Sequence, residues 1–334
     1  MSLCVAVLGA TGAVGRTMLR VLEERSFPVG ELRLLASERS TGVRIEYRGQ
    51  AHPVAVPDED AFRGVHLVLV ASGNDLSERW TPVALRMGAR VVDNSSAFRM
   101  HDDVPLVVPE VNGERLSARP RLVANPNCCA VPLAMALAPL RGAGLTRVVV
   151  ATYQSISGGG AEALARFERE LDSPTAARGA DDPPPLAFNV IPMIDRLEAN
   201  GYTHEEMKIA RETRKILDLP ELPITVTSVR VPVRVGHSHA VNVTTERALT
   251  PDEARDLWRA SAGIRVLDDP EHGRLPMPVD VAGTDDVVVG RVRRDLSHPG
   301  GLDFWVVADN LRKGAATNAV QIAEQLTRAE VASR

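Results

Sequence analysis

The chain has 334 residues, 44% of them apolar and 25% charged, which is too long for a peptide hormone or a disulfide knot and apolar enough to offset the entropy of folding. With 39 Lys and Arg against 43 Asp and Glu the formal net charge is -4 and the signs are interspersed, so no extended positive field is present to attract nucleic acid or an anionic membrane. Apolar runs such as Val65 to Ala71 stop far short of the roughly eighteen residues a membrane span needs. Met1 to Leu8 shows no basic segment ahead of a hydrophobic one, and the 3 cysteines include the adjacent pair Cys128 and Cys129, badly placed to bridge each other. Reduced thiols and a cytoplasmic protein are expected.

In chain order, the apolar run 3–8 leads at once into Gly9-Ala10-Thr11-Gly12-Ala13-Val14-Gly15 and then a helical pattern of Met18, Leu19, Val21 and Leu22. Strand, glycine turn and helix in that order predict a dinucleotide-binding βαβ unit, in which the turn lets the backbone approach a pyrophosphate. Strands are predicted at 31–36, 65–71, 90–93, 106–108 and 122–124, giving a Rossmann-type, mostly parallel α/β sheet. After about residue 145 the runs 147–154, 224–235, 240–246, 287–294 and 304–308 alternate or are β-branched, the pattern of a second, α+β domain on a mostly antiparallel sheet. Thr203-His204-Glu205-Glu206 and Thr250-Pro251-Asp252-Glu253 predict capping boxes that open helices, and Asp181 to Pro185 predicts an exposed connection. The last helix, about 315–327, returns to the first domain. The expected division is 1–127 with a C-terminal helix in 310–334, and 128–309 as a catalytic and dimerisation domain.

Residues that carry chemistry stand out against this frame. Ser37, Arg39 and Ser40 follow the second strand, where an arginine with hydroxyl neighbours suits the 2'-phosphate of NADP, although Glu38 stands between them. Asn125-Pro126-Asn127-Cys128-Cys129 precedes a helical pattern, and a thiol at a helix start has its thiolate stabilised. Physics alone does not say which of the two cysteines reacts. His237 and His239 alternate on a strand and so share a side; no third ligand accompanies them, and no metal is expected. Arg230 suits a carboxylate, and Arg99 closes the polar loop Asp93-Asn94-Ser95-Ser96-Ala97-Phe98-Arg99 as an anion site requires. Glu205 and Lys208, three apart on a helix, by themselves read as an intrahelical ion pair.

Together these blocks, with Val108-Pro109-Glu110-Val111-Asn112, Ala187 to Pro192, Gly236-His237-Ser238 and Ala308 to Gly314, resemble the bacterial aspartate-β-semialdehyde dehydrogenases in order along nearly the whole chain. The resemblance implies NADP-dependent reduction of L-aspartyl 4-phosphate, reversibly, through a cysteine thioester, on the route to lysine, diaminopimelate, threonine and methionine, by a homodimer. It implies that Cys128 is the nucleophile, Gln154 orients the acyl intermediate and His237 is the acid–base. It further implies that Arg230 holds the substrate carboxylate, Glu205 its amino group, and Arg99, Lys208 and Asn127 the phosphate. The cofactor would lie along Gly9, Thr11, Gly12, Ala13 and Val14, with Ser157, Gly158 and Asn318 along its nicotinamide half. Two departures stand out: His239 occupies a position where the family usually has glutamate, which predicts a lowered pKa for the imidazole pair and a narrower pH optimum, and Ala71 to Asp75 differs from the family's glycine-rich loop. The rivals are a reductase of another acyl phosphate, such as an N-acyl-glutamyl-phosphate, and a catalytically silent relative; Arg230 with Glu205 argues for a free amino acid substrate.

Overall fold

The computed structural model describes residues 2–173 and 182–332, and the chain divides into two compact units, Met1–Asn127 with Ala315–Arg334, and Cys128–Gly314. Of the predicted connection at 181–185, Asp181 lies outside the described residues, and Asp182, Pro183 and Pro184 are exposed irregular chain.

The first unit is built on a sheet of β1 (Leu3–Leu8), β2 (Val29–Leu35), β3 (Arg44–Tyr47), β4 (Gln50–Ala55), β5 (Leu67–Val70), β6 (Arg90–Asp93) and β7 (Leu122–Ala124), in the order β3-β4-β2-β1-β5-β6-β7. Every pairing is parallel except the β3/β4 hairpin at the edge, where Pro53 costs no central ladder bond. Every residue of β1 is buried because both faces of the sheet are covered. Leu3, Val5 and Val7 pack with Met18, Leu22, Val320 and Ala323 of the helices Ala13–Glu24 and Thr317–Ala332, while Cys4, Ala6 and Leu8 pack with Trp80, Val83 and Ala84 of the helix Asn74–Arg86. Gly9 turns the chain at φ +89, and a Cβ there would sit 2.7 Å from the Ala71 carbonyl carbon. The strand predicted at 106–108 is reduced to a single bridge from Leu106 to Ala124, since Pro105 and Pro109 flank it and supply no ladder donors.

The second unit carries β8 (Leu145–Gln154), β9 (Ile224–Arg230), β10 (His237–Thr245), β11 (Ile264–Val266), β12 (Val287–Arg294) and β13 (Gly301–Ala308), ordered β11-β12-β13-β10-β8-β9. The three central pairings are antiparallel and the outer two, β8/β9 and β11/β12, are parallel. The helix Ala130–Leu137 is wholly buried, and Trp258 of the helix Pro251–Arg259 donates to the Ala136 carbonyl at 2.8 Å. The strand predicted at 224–235 ends at Arg230, just before Pro232. Among the described residues, no helix is long and apolar enough to cross a membrane.

Both predicted capping boxes are formed. In the first, Glu206 Oε2 accepts from the Thr203 N–H at 2.7 Å and its Oε1 accepts from the Ser228 N–H of β9 at 2.9 Å, so one buried carboxylate starts the helix His204–Leu217 and fixes it to the sheet. Glu206→Ala leaves two buried N–H groups without their acceptor. It is expected to destabilise the second unit by about 2–4 kcal/mol, read as a fall in the urea midpoint; an unchanged midpoint would refute this tie.

Candidate active site

At one edge of the second sheet, β8 and β9 end side by side at Gln154 and Arg230, and antiparallel β10 begins there with His237. Cys128 lies just before the helix Ala130–Leu137, whose N-cap is Cys129. The two sulfurs and a ring nitrogen of His237 lie within 4.8 Å of one another. His237 Nδ1 is occupied by the backbone N–H and hydroxyl of Ser155, both at 3.0 Å, and Nε2, fully buried, has no hydrogen-bond partner among the described residues. Nε2 is thus the ring nitrogen left to exchange a proton.

The Cys128 thiol is held well below its ordinary range, first by a hydrogen bond from the Cys129 thiol and then by the charge and hydrogen bonding of His237, which outweigh burial and the Glu205 carboxylate. Burial and the same hydrogen bond push Cys129 the opposite way, so of the two cysteines Cys128 is the one poised as a thiolate. His239 is buried on the same strand, and burial, reinforced by His237, lowers it to about 3. His239 therefore stays neutral near neutral pH and adds no positive charge beside His237, so the expected narrowing of the pH optimum by two charged imidazoles loses its basis. Close packing holds the group in place. A Cβ on Gly314 would lie 3.2 Å from the Cys128 Cβ, and one on Gly158 would lie 3.0 Å from both Arg230 Nη1 and His237 Cε1.

Gln154 Nε2 donates to Glu205 Oε1 at 3.2 Å, and Glu205 Oε2 pairs with Lys208 Nζ at 2.8 Å on the capped helix. Asp195, a residue not singled out from the sequence, reaches the same ammonium at 3.3 Å. Burial opposes the charge of Lys208, but Glu205 and Asp195 together raise its pKa. Asp195 sits in the left-handed region at φ 71, and only the fold could have revealed its position. Arg230 Nη1 donates to the Ser155 carbonyl at 2.7 Å, and its other nitrogens have no hydrogen-bond partner among the described residues. The structure thus gathers Cys128, Gln154, Gly158, Glu205, Lys208, Arg230 and His237 in one unit. A second glutamate and lysine three apart, Glu212 and Lys215, lie further along the same helix.

The remaining candidates belong to the first unit or lie elsewhere. Arg99 is buried, with Nη2 on the Asn94 carbonyl at 2.7 Å, and Asn127 is the buried last residue of the first segment. The buried loop residue Asp93 accepts from Ser77 and Ser95. Asn318 Nδ2 donates to the Val107 carbonyl at 2.9 Å and to Asn125 Oδ1 at 2.7 Å, anchoring the C-terminal helix. In the glycine turn, Gly12 is an N-cap without a side-chain cap, ahead of Ala13 and Val14, and Thr11 Oγ1 lies 3.1 Å from Ser40 Oγ. Ser37, Arg39 and Ser40 sit at the end of β2 with the Arg39 side chain exposed. An uncapped helix start beside an exposed arginine and hydroxyls fits a dinucleotide pyrophosphate and an anionic ribose. Ser157, in contrast, is buried with its hydroxyl on Asn310.

A dinucleotide turn on a doubly covered sheet, with a thiol and an imidazole at the edge of a second sheet, defines the class of nicotinamide-linked oxidoreductases. A family model described as semialdehyde dehydrogenase, NAD binding domain, matches residues 4–119, and one described as semialdehyde dehydrogenase, dimerisation domain, matches residues 137–313. The chain is 45% identical to the aspartate-semialdehyde dehydrogenase of Aquifex aeolicus over 97% of its length and 98% of the relative's, and 44% identical to that of Bacillus subtilis over 96% of each. The crystal structure of aspartate semialdehyde dehydrogenase II of Vibrio cholerae complexed with ASA superposes with a TM-score of 0.93 at 44% identity, covering 98% of this chain and 99% of that one. The chain belongs to the semialdehyde dehydrogenase family.

The hydrogen bond from Cys129 yields a direct expectation. Cys129→Ala removes the donor, so the pH midpoint for alkylation of Cys128 by iodoacetamide rises by roughly one unit, whereas Cys129→Ser, which keeps a donor, stays nearer the wild type. Equal midpoints in all three proteins would refute this role.

Proposed function

We propose that the chain is an aspartate-semialdehyde dehydrogenase, reducing L-aspartyl 4-phosphate to L-aspartate 4-semialdehyde and phosphate with NADPH, reversibly, on the route to lysine, diaminopimelate, threonine and methionine. The observation that carries this reading is the low-pKa thiol of Cys128, held by Cys129 and His237, in a chain alike over nearly its whole length to proteins of that name. The Cys128 thiolate attacks the acyl carbon; the C–S bond forms, the C–O bond to phosphate breaks, and a thioester remains. The nicotinamide supplies a hydride to the acyl carbon when bound. Collapse of the resulting thiohemiacetal expels the sulfur and releases the aldehyde, and His237 returns a proton to the sulfur from Nε2.

Arg230 holds the α-carboxylate and Glu205 the ammonium, a pair that suits a free amino acid better than an N-acylated one. Gln154, tied to Glu205, orients the acyl group. Lys208, Arg99 and Asn127 receive the phosphate. Gly9, Thr11, Gly12, Ala13 and Val14 cradle the pyrophosphate, Ser37, Arg39 and Ser40 meet the 2'-phosphate, and Ser157, Gly158 and Asn318 border the nicotinamide half. This reading assigns Cys128 and His237 to the chemistry itself and gives no residue to a metal. A homodimer through the second unit is supported by the family model's description and by the exposed apolar side chains Phe188, Val190, Met193 and Leu197. A cytoplasmic location follows from the need to keep the thiol reduced.

The assay follows the reduced-nicotinamide absorbance with L-aspartate 4-semialdehyde, phosphate and NADP or NAD. Turnover is expected to require phosphate and to prefer NADP, and Cys128→Ser is expected to lose on the order of a thousandfold or more in kcat. Arg39→Ala should raise the KM for NADP roughly tenfold and leave that for NAD nearly unchanged. Phosphate-independent turnover, or a fully active Cys128→Ser protein, would overturn the reading.

A further inference from the structure

Four strand ends meet at the thiol edge of the second sheet, and one of them continues into a group the chemistry above does not use. Past the end of β13, Asn310 turns back toward the start of β10, and past the end of β8, Ser155 lies against His237. All three side chains are buried. The Gly236 N–H donates to Asn310 Oδ1 at 3.0 Å, which fixes the orientation of that amide, since only its oxygen can accept. The same Oδ1 accepts from the Ser155 hydroxyl at 3.0 Å and the Ser157 hydroxyl at 3.2 Å, while Asn310 Nδ2 donates to Ser157 Oγ at 3.0 Å.

The consequence falls on His237 Nδ1. The Ser155 oxygen also lies 3.1 Å from Ser157 Oγ; when its own proton goes to Asn310 it turns a lone pair toward the ring, and Ser155 then offers Nδ1 two different groups, an N–H donor and an oxygen acceptor, each at 3.0 Å. When Nδ1 is bare it accepts the backbone N–H, and Nε2 carries a proton to give. When Nδ1 is protonated it donates to Oγ, and Nε2 is either a base or, in the imidazolium, the partner of the Cys128 thiolate. A ring that must both take and return a proton needs a partner on its far nitrogen in each state.

We infer that Ser155 and Asn310 are positioning residues for the acid–base imidazole: the Asn310 amide aims the Ser155 hydroxyl, and Ser155 supports His237 in both of its protonation states. The inference rests on the reading of His237 as the acid–base. It also gives Ser157 a place behind the imidazole, as a second prop of the Asn310 amide. The other titratable groups around the ring are Cys128 and Cys129 ahead of the helix Ala130–Leu137, Arg230 at the end of β9, His239 on the same strand, and Glu205, which acts on Cys128 from the helix His204–Leu217. The substitutions below alter none of them.

The test measures the pH midpoint of Cys128 alkylation by iodoacetamide, located by mass spectrometry, together with kcat and KM, in wild type, Ser155→Ala, Asn310→Asp and His237→Asn. Ser155→Ala keeps the backbone donor and loses the acceptor, which disfavours the imidazolium–thiolate pair. Its midpoint should rise by roughly one pH unit, alkylation at pH 7 should slow roughly five- to tenfold, and kcat should fall more than KM changes. Asn310→Asp keeps the acceptor oxygens and adds a negative charge on the far side of Ser155, which favours the protonated ring, so its midpoint should move down. Opposite shifts from two nearly isosteric changes do not arise from loosened packing. A Ser155→Ala midpoint equal to wild type, or shifts of the same sign in both variants, would overturn the inference. If His237→Asn matched the wild type in midpoint and turnover, the acid–base reading beneath it would fall as well.

Discussion

Gln154 stands opposite Arg230 where β8 and β9 run parallel, and β10 enters antiparallel with Ser238 opposite Tyr153, so the residues just beyond these ends arrive at one edge of the sheet. That register is set by the alternation of buried and half-exposed residues along β8 and by the buried run of β10, and a slip by one residue would turn the Gln154 side chain to the other face. The placing of His237, Arg230 and Gln154 at one end of the sheet depends on it. Cys128 comes to the same edge because the buried helix Ala130–Leu137 fixes the chain just after it.

Electrostatics then follows from packing. A thiolate in a buried site is costly unless donors meet it, and here Cys129 and His237 do so. Glu205 opposes the thiolate, and its own carboxylate is met by Lys208 and Gln154. The second histidine, His239, is lowered to about 3 by burial and by the neighbouring His237, so it adds volume and no charge near neutral pH. The two imidazoles, on alternate residues of one strand, thus have different surroundings: His237 has Ser155 on its Nδ1, and His239 is kept neutral by burial and by His237 itself.

Much of this was legible in the sequence because it is written locally. The glycine turn, the run 3–8 and both capping boxes are patterns within about ten residues, and the structure forms each of them. The β3/β4 hairpin was missed because its strands are short, polar on one side and interrupted by Pro53, and the π-helical turn Arg312–Ala316 leaves no local signature. The strand expected at 106–108 failed because flanking prolines remove ladder donors. At the site, residue types with strong chemistry were found from the sequence, but Asp195 on Lys208 and Asn310 on Ser155 lie 13 and 155 positions from their partners. Their roles exist only in the fold.

The proposed chemistry turns on a covalent bond to Cys128. The most direct measurement is rapid-quench mass spectrometry after mixing the protein with L-aspartate 4-semialdehyde and NADP in the absence of phosphate, followed by peptide mapping. The predicted result is an aspartyl adduct on Cys128 that forms at least as fast as turnover and disappears when phosphate is added. Sustained turnover with no adduct, or an adduct on Cys129 or any other residue, would contradict it.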